Sequence, residues 1–181
     1  MTVPLPQTTL AAQLADGSLA GNWTLDQARS TVALKSKSMW GLVPVKGTFT
    51  QVEGAGTVSP AGDVTGQVTV AAASVDTKNP RRDKHLRSKD FFLAEEHPSI
   101  IFAVAKLTPA ADGVTVEGTL TVRDRTNPVT FTAAAAPVSG GAVALDAAVE
   151  VDRSQYGLTW NQLGMSSVHN TITIHAVFTR D

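Results

Sequence analysis

One polar stretch decides the fold, Ser74–Phe92, which reads SVDTKNPRRDKHLRSKDFF. It holds six basic residues and three aspartates, and it ends in two adjacent aromatic residues. Asn79-Pro80 predicts a turn, because proline fixes its own φ and disfavours the helical region for the residue before it. Asp83–Ser88 can then form a short helix in the 76–92 connection, since the positive end of the helix dipole favours the aspartate. We therefore predict an ordered connection across one end of a β-structure, fastened to the apolar body by Phe91 and Phe92.

On both sides of this stretch, apolar and polar residues alternate with the period of two that is typical of β-strands. Val64–Ala72 and Val114–Val122 show the alternation most clearly, with valines on one face and mostly threonines on the other. Turn residues separate these segments, and Ser139–Gly141 is a tight hairpin signal. Glycines and a proline in Gly54–Gly62 predict another hairpin, and Asp124–Pro128 predicts a turn. The pattern predicts an all-β fold of eight or nine strands.

Strands with one apolar and one polar face must bury the apolar face, which leaves two arrangements. An antiparallel sheet can close on itself, and about eight strands give a barrel whose interior is either filled or holds one small ligand. The sheet can also pack as a solid sandwich without a cavity, and the alternation alone favours neither arrangement. Many candidate inward residues are Val, Ala or Gly. Small side chains on an inner wall would leave space for a ligand.

The first twenty residues precede the strand pattern. Met1–Gln7 contains two prolines and is predicted to be a loose arm. Leu10 and Leu14 lie one turn apart, a threonine precedes them as an N-cap, and Gly17 follows as a stop, which predicts a short helix. No linker follows. We expect residues 1–20 to form an arm and a short N-terminal helix packed on one barrel domain, residues 21–181.

Composition excludes several classes of function. The formal net charge of −1 gives no overall positive charge with which to bind nucleic acid or an anionic membrane. The sequence has no cysteine, which excludes disulfides, thiolate catalysis and zinc–thiolate sites. It shows neither a basic region followed by an apolar run nor an apolar stretch of about 18 residues, so we expect no secretory signal and no spanning helix. We expect a cytoplasmic protein, either a monomer or a homodimer.

Several short segments form a recognisable combination. The most specific is Arg82–Ser88 with Asp90–Phe92. The others are Trp23–Asp26, Ser30–Val32, Val45–Phe49, Pro98 with Ile101-Phe102, Gly118–Val122, Pro128-Val129, Asp152–Ser154 and Tyr156–Leu158. In this combination the chain resembles the YceI-like family, also called polyisoprenoid-binding proteins, from about Trp23 to Phe178.

This resemblance implies an eight-stranded antiparallel lipocalin-like barrel with an apolar lumen. It implies binding, storage or carriage of a long-chain isoprenoid or another amphiphilic lipid, such as an isoprenoid quinone, rather than catalysis or a further cofactor. The lipid is then the expected partner, with transient membrane contact and without nucleic acid. The candidate ligand-binding residues face the lumen or close its ends, and they are Val32, Leu34, Trp40, Phe49, Val68, Val70, Phe92, Phe102, Val104, Val116, Leu120, Phe131, Leu145, Ile172 and Ile174.

Two positions depart from the pattern of the family that the chain resembles. Ser38 stands where the family often has a histidine, and Asp124 stands where it often has a glycine. The serine removes any head-group contact that the histidine would make, so the ligand can differ too.

An enzyme is the second hypothesis. Asp83 and His85 could form an acid–base pair, or a metal site together with the acidic and histidine residues at 95–97. Their spacing matches no established metal-binding motif. Pairing among the arginines and aspartates of the same stretch is therefore the favoured interpretation.

Overall fold

The protein is described here by a computed structural model that covers residues 10–111 and 113–181. Within these residues, eleven strand segments form one antiparallel sheet that closes on itself. The segments are β1 (Gly21–Leu25), β2 (Thr31–Ser38), β3 (Val43–Phe49), β4 (Val52–Val58), β5 (Val64–Ala71), β6 (Val75–Asp76), β7 (Ser99–Ala110), β8 (Gly113–Val122), β9 (Arg125–Val138), β10 (Ala142–Asp152) and β11 (His169–Arg180). The two α-helices are α1 (Leu10–Ala15) and α2 (Pro80–Arg87).

The eleven segments make eight long strands, because three of the long strands are interrupted. A 3-10 turn at Gln27–Arg29 divides β1 from β2, and both segments pair with β11. The second long strand consists of β3, which pairs with β2, and β4, which pairs with β1. The third consists of β6, which pairs with β3, and β5, which pairs with β4. Each long strand therefore lies beside its neighbour in sequence. The predicted eight-stranded antiparallel barrel with two short helices is confirmed.

The last strand closes the barrel. One side of β11 pairs with β10 in a continuous register from Val143 opposite Phe178 to Asp152 opposite His169. Its other side pairs with β1 and β2, from Trp23 opposite Arg180 to Lys35 opposite Thr171. This closure separates an inner from an outer face along every long strand, because side chains alternate across a sheet.

The predicted hairpin at Gly54–Gly62 is wrong in its extent. β4 continues through Gly54 and Gly56, and the turn lies at Ser59–Gly62, where the Gly62 N–H donates to the Ser59 carbonyl at 2.9 Å. Gly56 lies directly opposite Gly66 of β5. A Cβ on Gly66 would lie 2.9 Å from the Cα of Gly56. These glycines allow two strands to approach closely. The sequence pattern alone cannot distinguish glycines with this role from glycines in a turn.

The predicted turn at Asp124–Pro128 is also shorter than expected. β9 begins at Arg125, and Pro128 lies within it, opposite Thr119. The residue with a left-handed backbone is Arg123, with φ of +57°, and Asp124 is not among the residues with positive φ. An aspartate in place of the family's usual glycine therefore carries no left-handed strain.

The start of α2 is set by residues that suit the beginning of a helix. α2 starts at Pro80, earlier than predicted, because Asn79 caps it by accepting the Arg82 N–H at 3.1 Å and proline is favoured in the first turn. Leu14 of α1 packs with Leu19 and Trp23 against the barrel. The predicted threonine cap and the predicted arm over Met1–Gln7 lie outside the described residues. The division of the chain into an arm with a helix, residues 1–20, and a barrel domain, residues 21–181, stays a prediction.

Among the described residues, every helix is too short or too polar to cross a bilayer.

The close approach of β4 and β5 makes Gly66 sensitive to substitution. Gly66→Ala would place a Cβ 2.8 Å from the Ala55 carbonyl oxygen, so backbone must move. We expect a loss of about 1–3 kcal/mol in the free energy of unfolding, the usual cost of overpacking, measured by chemical denaturation. The control is Thr65→Val, an exposed neighbour of matched shape, which should change stability by less than about 0.5 kcal/mol. Equal stability of the two variants would contradict the close approach.

Candidate functional site: the barrel cavity

A cavity of about 490 Å³ runs inside the barrel from α1 to α2. Every long strand contributes to its lining, and the alternation along β10 shows how. Val143, Leu145, Ala147, Val149 and Val151 all line the cavity, while the residues between them face away. The volume lies within the range of roughly 300–1,000 Å³ that small-molecule sites occupy. The barrel is therefore hollow, and the alternative of a solid sandwich is excluded.

Of the fifteen candidate ligand-binding residues, fourteen line this cavity. They are Val32, Leu34, Phe49, Val68, Val70, Phe92, Phe102, Val104, Val116, Leu120, Phe131, Leu145, Ile172 and Ile174. Their contact with a ligand stays a prediction.

Trp40 is the exception, and its predicted place at an end of the lumen stays a prediction. It lies in the turn between β2 and β3, with 64% of its surface exposed, and it is not part of the described cavity lining. Met39 and Trp40 both have a positive φ, of 51° and 54°. The strand alternation ends at this turn, so the inward face of β2 does not extend to Trp40.

The α1 end of the cavity is closed by apolar side chains. Leu14, Leu19 and Trp23 are buried there, and the Trp23 indole N–H donates to the Leu19 carbonyl at 2.9 Å. Sequence reasoning missed these residues as part of the lining. The signal was Trp23 and Leu25 on one face of β1, which lie inward like the valines of later strands.

Aromatic rings cover the α2 end. Phe92 packs on Phe49 with ring centroids 5.9 Å apart, and Trp160 lies 4.4 Å from the His85 ring and 5.5 Å from the Phe91 ring. Phe49 is the last residue of β3, and the other rings come from the two long connections, 77–98 and 153–168.

Three polar residues of the cavity lining lie at the α2 end. They are Ser36, Ser38 and His85, and all three are half-exposed. Ser38, one of the two family departures, is thus a lining residue.

A buried polar network fixes α2 to the barrel. Asp83 is only 6% exposed, and its Oδ1 accepts hydrogen bonds from the Thr77 N–H at 2.9 Å and the Thr77 hydroxyl at 2.5 Å. Arg82 donates from Nε to the Thr77 hydroxyl at 2.8 Å and from Nη2 to the Thr77 carbonyl at 3.0 Å. The predicted pairing of arginine with aspartate is therefore indirect, through Thr77.

Asp83 and His85 do not form the acid–base pair of the enzyme hypothesis. His85 Nε2 lies 2.9 Å from Asp90 Oδ2, while Asp83 binds Thr77. The described residues hold no group of three or more histidine, aspartate or glutamate side chains placed to bind a metal ion.

Arg153 is the most buried cation of the described cavity lining, with 8% of its surface exposed. It donates from Nε to the Ser167 carbonyl at 3.0 Å, and from Nη1 to the Leu158 and Trp160 carbonyls at 2.7 and 2.8 Å. Burial lowers the pKa of its guanidinium, because desolvation disfavours the charged form. Sequence reasoning placed Arg153 in a family segment but missed it as a site residue.

Comparison with known proteins assigns the family. A sequence model of the YceI-like domain matches residues 23–179. The chain belongs to the YceI-like family. UPF0312 proteins of Staphylococcus aureus strains MRSA252 and NCTC 8325 are each 31% identical to it over 149 residues, which is 78% of this chain and 84% of theirs. The resemblance seen in the sequence segments is confirmed.

Solved structures share the YceI-like barrel. BcnA of Burkholderia cenocepacia is 25% identical, with a TM-score of 0.76, over 84% of this chain and 98% of that one. A polyisoprenoid-binding domain from Saccharophagus degradans, implicated in plant cell wall breakdown, is 15% identical, with a TM-score of 0.71, over 88% of this chain and 98% of that one. A YceI protein of Campylobacter jejuni is 24% identical, with a TM-score of 0.64, over 76% of this chain and 85% of that one. These likenesses support the lipocalin-like fold.

The network at Thr77 predicts that Asp83 is structural. Asp83→Ala would leave the buried N–H and hydroxyl of Thr77 without their acceptor, so we expect a loss of about 1–3 kcal/mol in the free energy of unfolding. The control Asp90→Asn, which weakens the half-exposed pair of Asp90 with His85 and keeps the ring contacts of His85, should cost less than about 1 kcal/mol. Denaturant titration measures both. An Asp83→Ala variant of unchanged stability that loses a bound metal or a turnover would support the enzyme hypothesis instead.

Proposed function

We propose that this YceI-like protein binds a long-chain isoprenoid, or another amphiphilic lipid with such a tail, inside the barrel. The observation that carries the proposal is the mostly apolar cavity that runs from α1 to α2. Buried apolar area contributes about 25 cal/mol per Å², so a long tail gains affinity from the lining without any polar contact.

The barrel has a suitable length for such a tail. β8 has ten residues, which span about 33 Å along the strand. Strands of barrels tilt by about 35–45°, which leaves about 25 Å along the barrel axis. Several isoprene units therefore fit in extended form. The Saccharophagus degradans domain is described as polyisoprenoid-binding, and isoprenoid quinones carry the same kind of tail, so both classes belong to the proposal.

The position of exposed apolar residues favours carriage over storage alone. Leu42, in the turn between β2 and β3, is 81% exposed, and Leu163, in the 153–168 connection, is 78% exposed. The two segments are joined, because the Trp40 N–H donates to the Met165 carbonyl at 3.2 Å. We call Met39, Trp40, Leu42, Val43 and Leu163 the mouth patch. It lies near the α2 end of the cavity, next to the lining residues Ser38 and Trp160.

The charges around the mouth patch fit an anionic bilayer. Lys35, Lys37 and Lys46 are exposed on β2 and β3, and residues 27–52 and 153–180 contain no Asp or Glu. Apolar tips beside lysines are the pattern of surfaces that insert shallowly into membranes, and each basic residue adds about 1 kcal/mol at an anionic surface. The net charge of −1 hides this local excess. In our proposal, the patch contacts a membrane transiently while the lipid enters or leaves.

Filling the cavity should abolish lipid binding. Ala147 lines the cavity, and Ala148 is the next residue, exposed on the outer face. We expect Ala147→Phe to lose the lipid, because the added ring occupies the space of the tail, and Ala148→Phe to keep it. The measurement is native mass spectrometry of protein purified from its own host, followed by organic extraction. Empty wild-type protein that also ignores added polyprenyl quinones would overturn the proposed function.

Acidic residues introduced into the mouth patch should weaken membrane contact. The variant Leu42→Asp with Leu163→Asp should bind vesicles of equal parts phosphatidylcholine and phosphatidylglycerol about tenfold less than the wild type, because carboxylates are repelled and do not enter the apolar layer. Sedimentation with vesicles measures it. The control Ala136→Asp adds a carboxylate on an exposed residue at the α1 end and should change little.

A second copy of the chain is the competing occupant of the mouth patch. Light scattering on a sizing column would then show a homodimer that the Leu42→Asp and Leu163→Asp variant dissociates, with no binding of vesicles by the wild type. That result would overturn the membrane contact and leave the lipid site standing.

The expected cytoplasmic location belongs to the same proposal. Fractionation of host cells, with the protein followed beside markers of each compartment, checks it.

A further inference from the structure

The helix α1 closes one end of the cavity. Its residues Leu10 and Leu14, which we call the plug, line the cavity, and Leu14 is only 6% exposed. The apolar cluster around Leu14 takes in partly buried side chains from five strands of the barrel, which are Val58, Val64, Leu107, Val143 and Phe178. These strands lie on different sides of the closed sheet. The plug therefore spans the opening of the barrel and does not lie along one wall.

Leu10 extends the plug to the remaining wall of the lumen. Besides the cluster around Leu14, it packs against a second apolar cluster from β8 and β9, which consists of Val114, Val116 and Ala133. All three residues of this second cluster are buried. The plug is thus continuous with the apolar lining, and a lipid tail that fills the cavity would meet it.

Contacts on two sides fix the plug in place. In the turn between β4 and β5, Gly62 has a φ of +93°, and a Cβ on it would lie 2.7 Å from the Leu14 carbonyl oxygen. Glycine adopts a positive φ and lets backbones approach closely. On the other side, Arg180 Nη2 donates to the Ser18 carbonyl at 2.6 Å, and the Arg180 guanidinium lies over the Trp23 ring, 5.1 Å from its centroid. These contacts tie α1 and the turn after it to both ends of the barrel chain.

The plug lies outside the part of the chain that assigns the family. The YceI-like model matches residues 23–179, whereas α1 runs from Leu10 to Ala15. The effect of α1 on the cavity is therefore a property of this chain, which membership of the family does not supply.

The length of a tail decides how well it fits a cavity with a fixed end. A shorter tail leaves a gap, and the lining around the gap lacks contacts. A longer tail leaves its excess isoprene units in water, where they lose the free energy of apolar burial. A bilayer, in contrast, buries tails of every length. A protein that exchanges lipid with a bilayer therefore retains best the tail that matches its cavity.

We propose that α1 sets the length of the lipid tail that the protein retains, with Leu10 and Leu14 in contact with the last isoprene unit. The apolar side chains of the plug suit the apolar end of a tail, and the contacts of Gly62 and Arg180 keep the plug from yielding to a longer one. The inference rests on the proposed function and adds a selected property of the ligand, which is its number of isoprene units.

The test is a competition among tails that differ only in length. Phosphatidylcholine vesicles carry an equimolar set of all-trans prenols with four to nine isoprene units, and the delipidated full chain is incubated with them. Flotation then removes the vesicles, and organic extraction with mass spectrometry quantifies each prenol that the protein retains. We expect the wild type to enrich one length and to retain the prenol with one more unit at least about tenfold less, because the excess unit stays in water.

Variants of the plug should move the preferred length in opposite directions. The double variant Leu10→Ala with Leu14→Ala removes roughly the carbon atoms of one isoprene unit from the end of the cavity, so the preferred tail should grow by about one unit. Leu10→Phe adds bulk at the same end and should shorten the preferred tail. The control Ala11→Phe introduces the same ring on an exposed residue of α1 outside the described lining, and it should keep the wild-type length.

The outcomes separate this inference from the proposed function. Wild-type protein that retains the prenols without an upper limit of length overturns the role of α1 while lipid binding stands, and this comparison needs no variant to fold. A wild-type length preference that persists in Leu10→Phe and in the double variant also overturns it, and Leu10→Phe decides alone if the double variant does not fold. Failure of the wild type to retain any prenol overturns the proposed function itself.

Discussion

The hydrogen bonds on the two sides of β11 are the constraint on which the rest of the structure depends. One side holds β10 and the other holds β1 and β2, so the sheet has no open end between its first and last long strands. An open sheet would leave unpaired edges and could collapse onto itself. A closed ring fixes which face of each strand is interior, and small inward side chains then leave a space that no rearrangement of one strand can fill.

That space has an energetic consequence. Atoms that line a void lose the dispersion contacts of a packed core, so a hollow barrel is less stable than a filled one of the same size. Apolar packing at the two ends offsets part of this loss, with Leu14, Leu19 and Trp23 at one end and Tyr156 and Leu158 at the other. Voids of apolar lining stay dry and accept apolar guests. A lipid tail would therefore restore contacts that the protein alone lacks.

The two ends of the barrel differ in chemistry because different connections build them. The α1 end is made of tight turns and one short apolar helix. The α2 end is made of two long connections whose backbone groups need partners, and Thr77, Asp83 and Arg153 supply them. Arg153, which secures one of these connections, also places a cation in the cavity lining at this end.

The sequence by itself determined that the strands alternate with a period of two and which residues of each strand face inward. It also contained the short segments that identify the family. These are local properties, since alternation needs only neighbouring residues, and this explains why fourteen of the fifteen candidates line the cavity. Only the tertiary structure decided that Gly56 meets Gly66, that Trp40 lies outside, and that Arg153 binds carbonyls of a distant part of its own connection. Each depends on contacts or exposure in three dimensions, since Gly56 meets Gly66 across the pairing of β4 with β5 and Arg153 reaches carbonyls 5 to 14 residues away. A close approach, a turn with left-handed backbone or a buried cation without a carboxylate has no repeating pattern along the sequence.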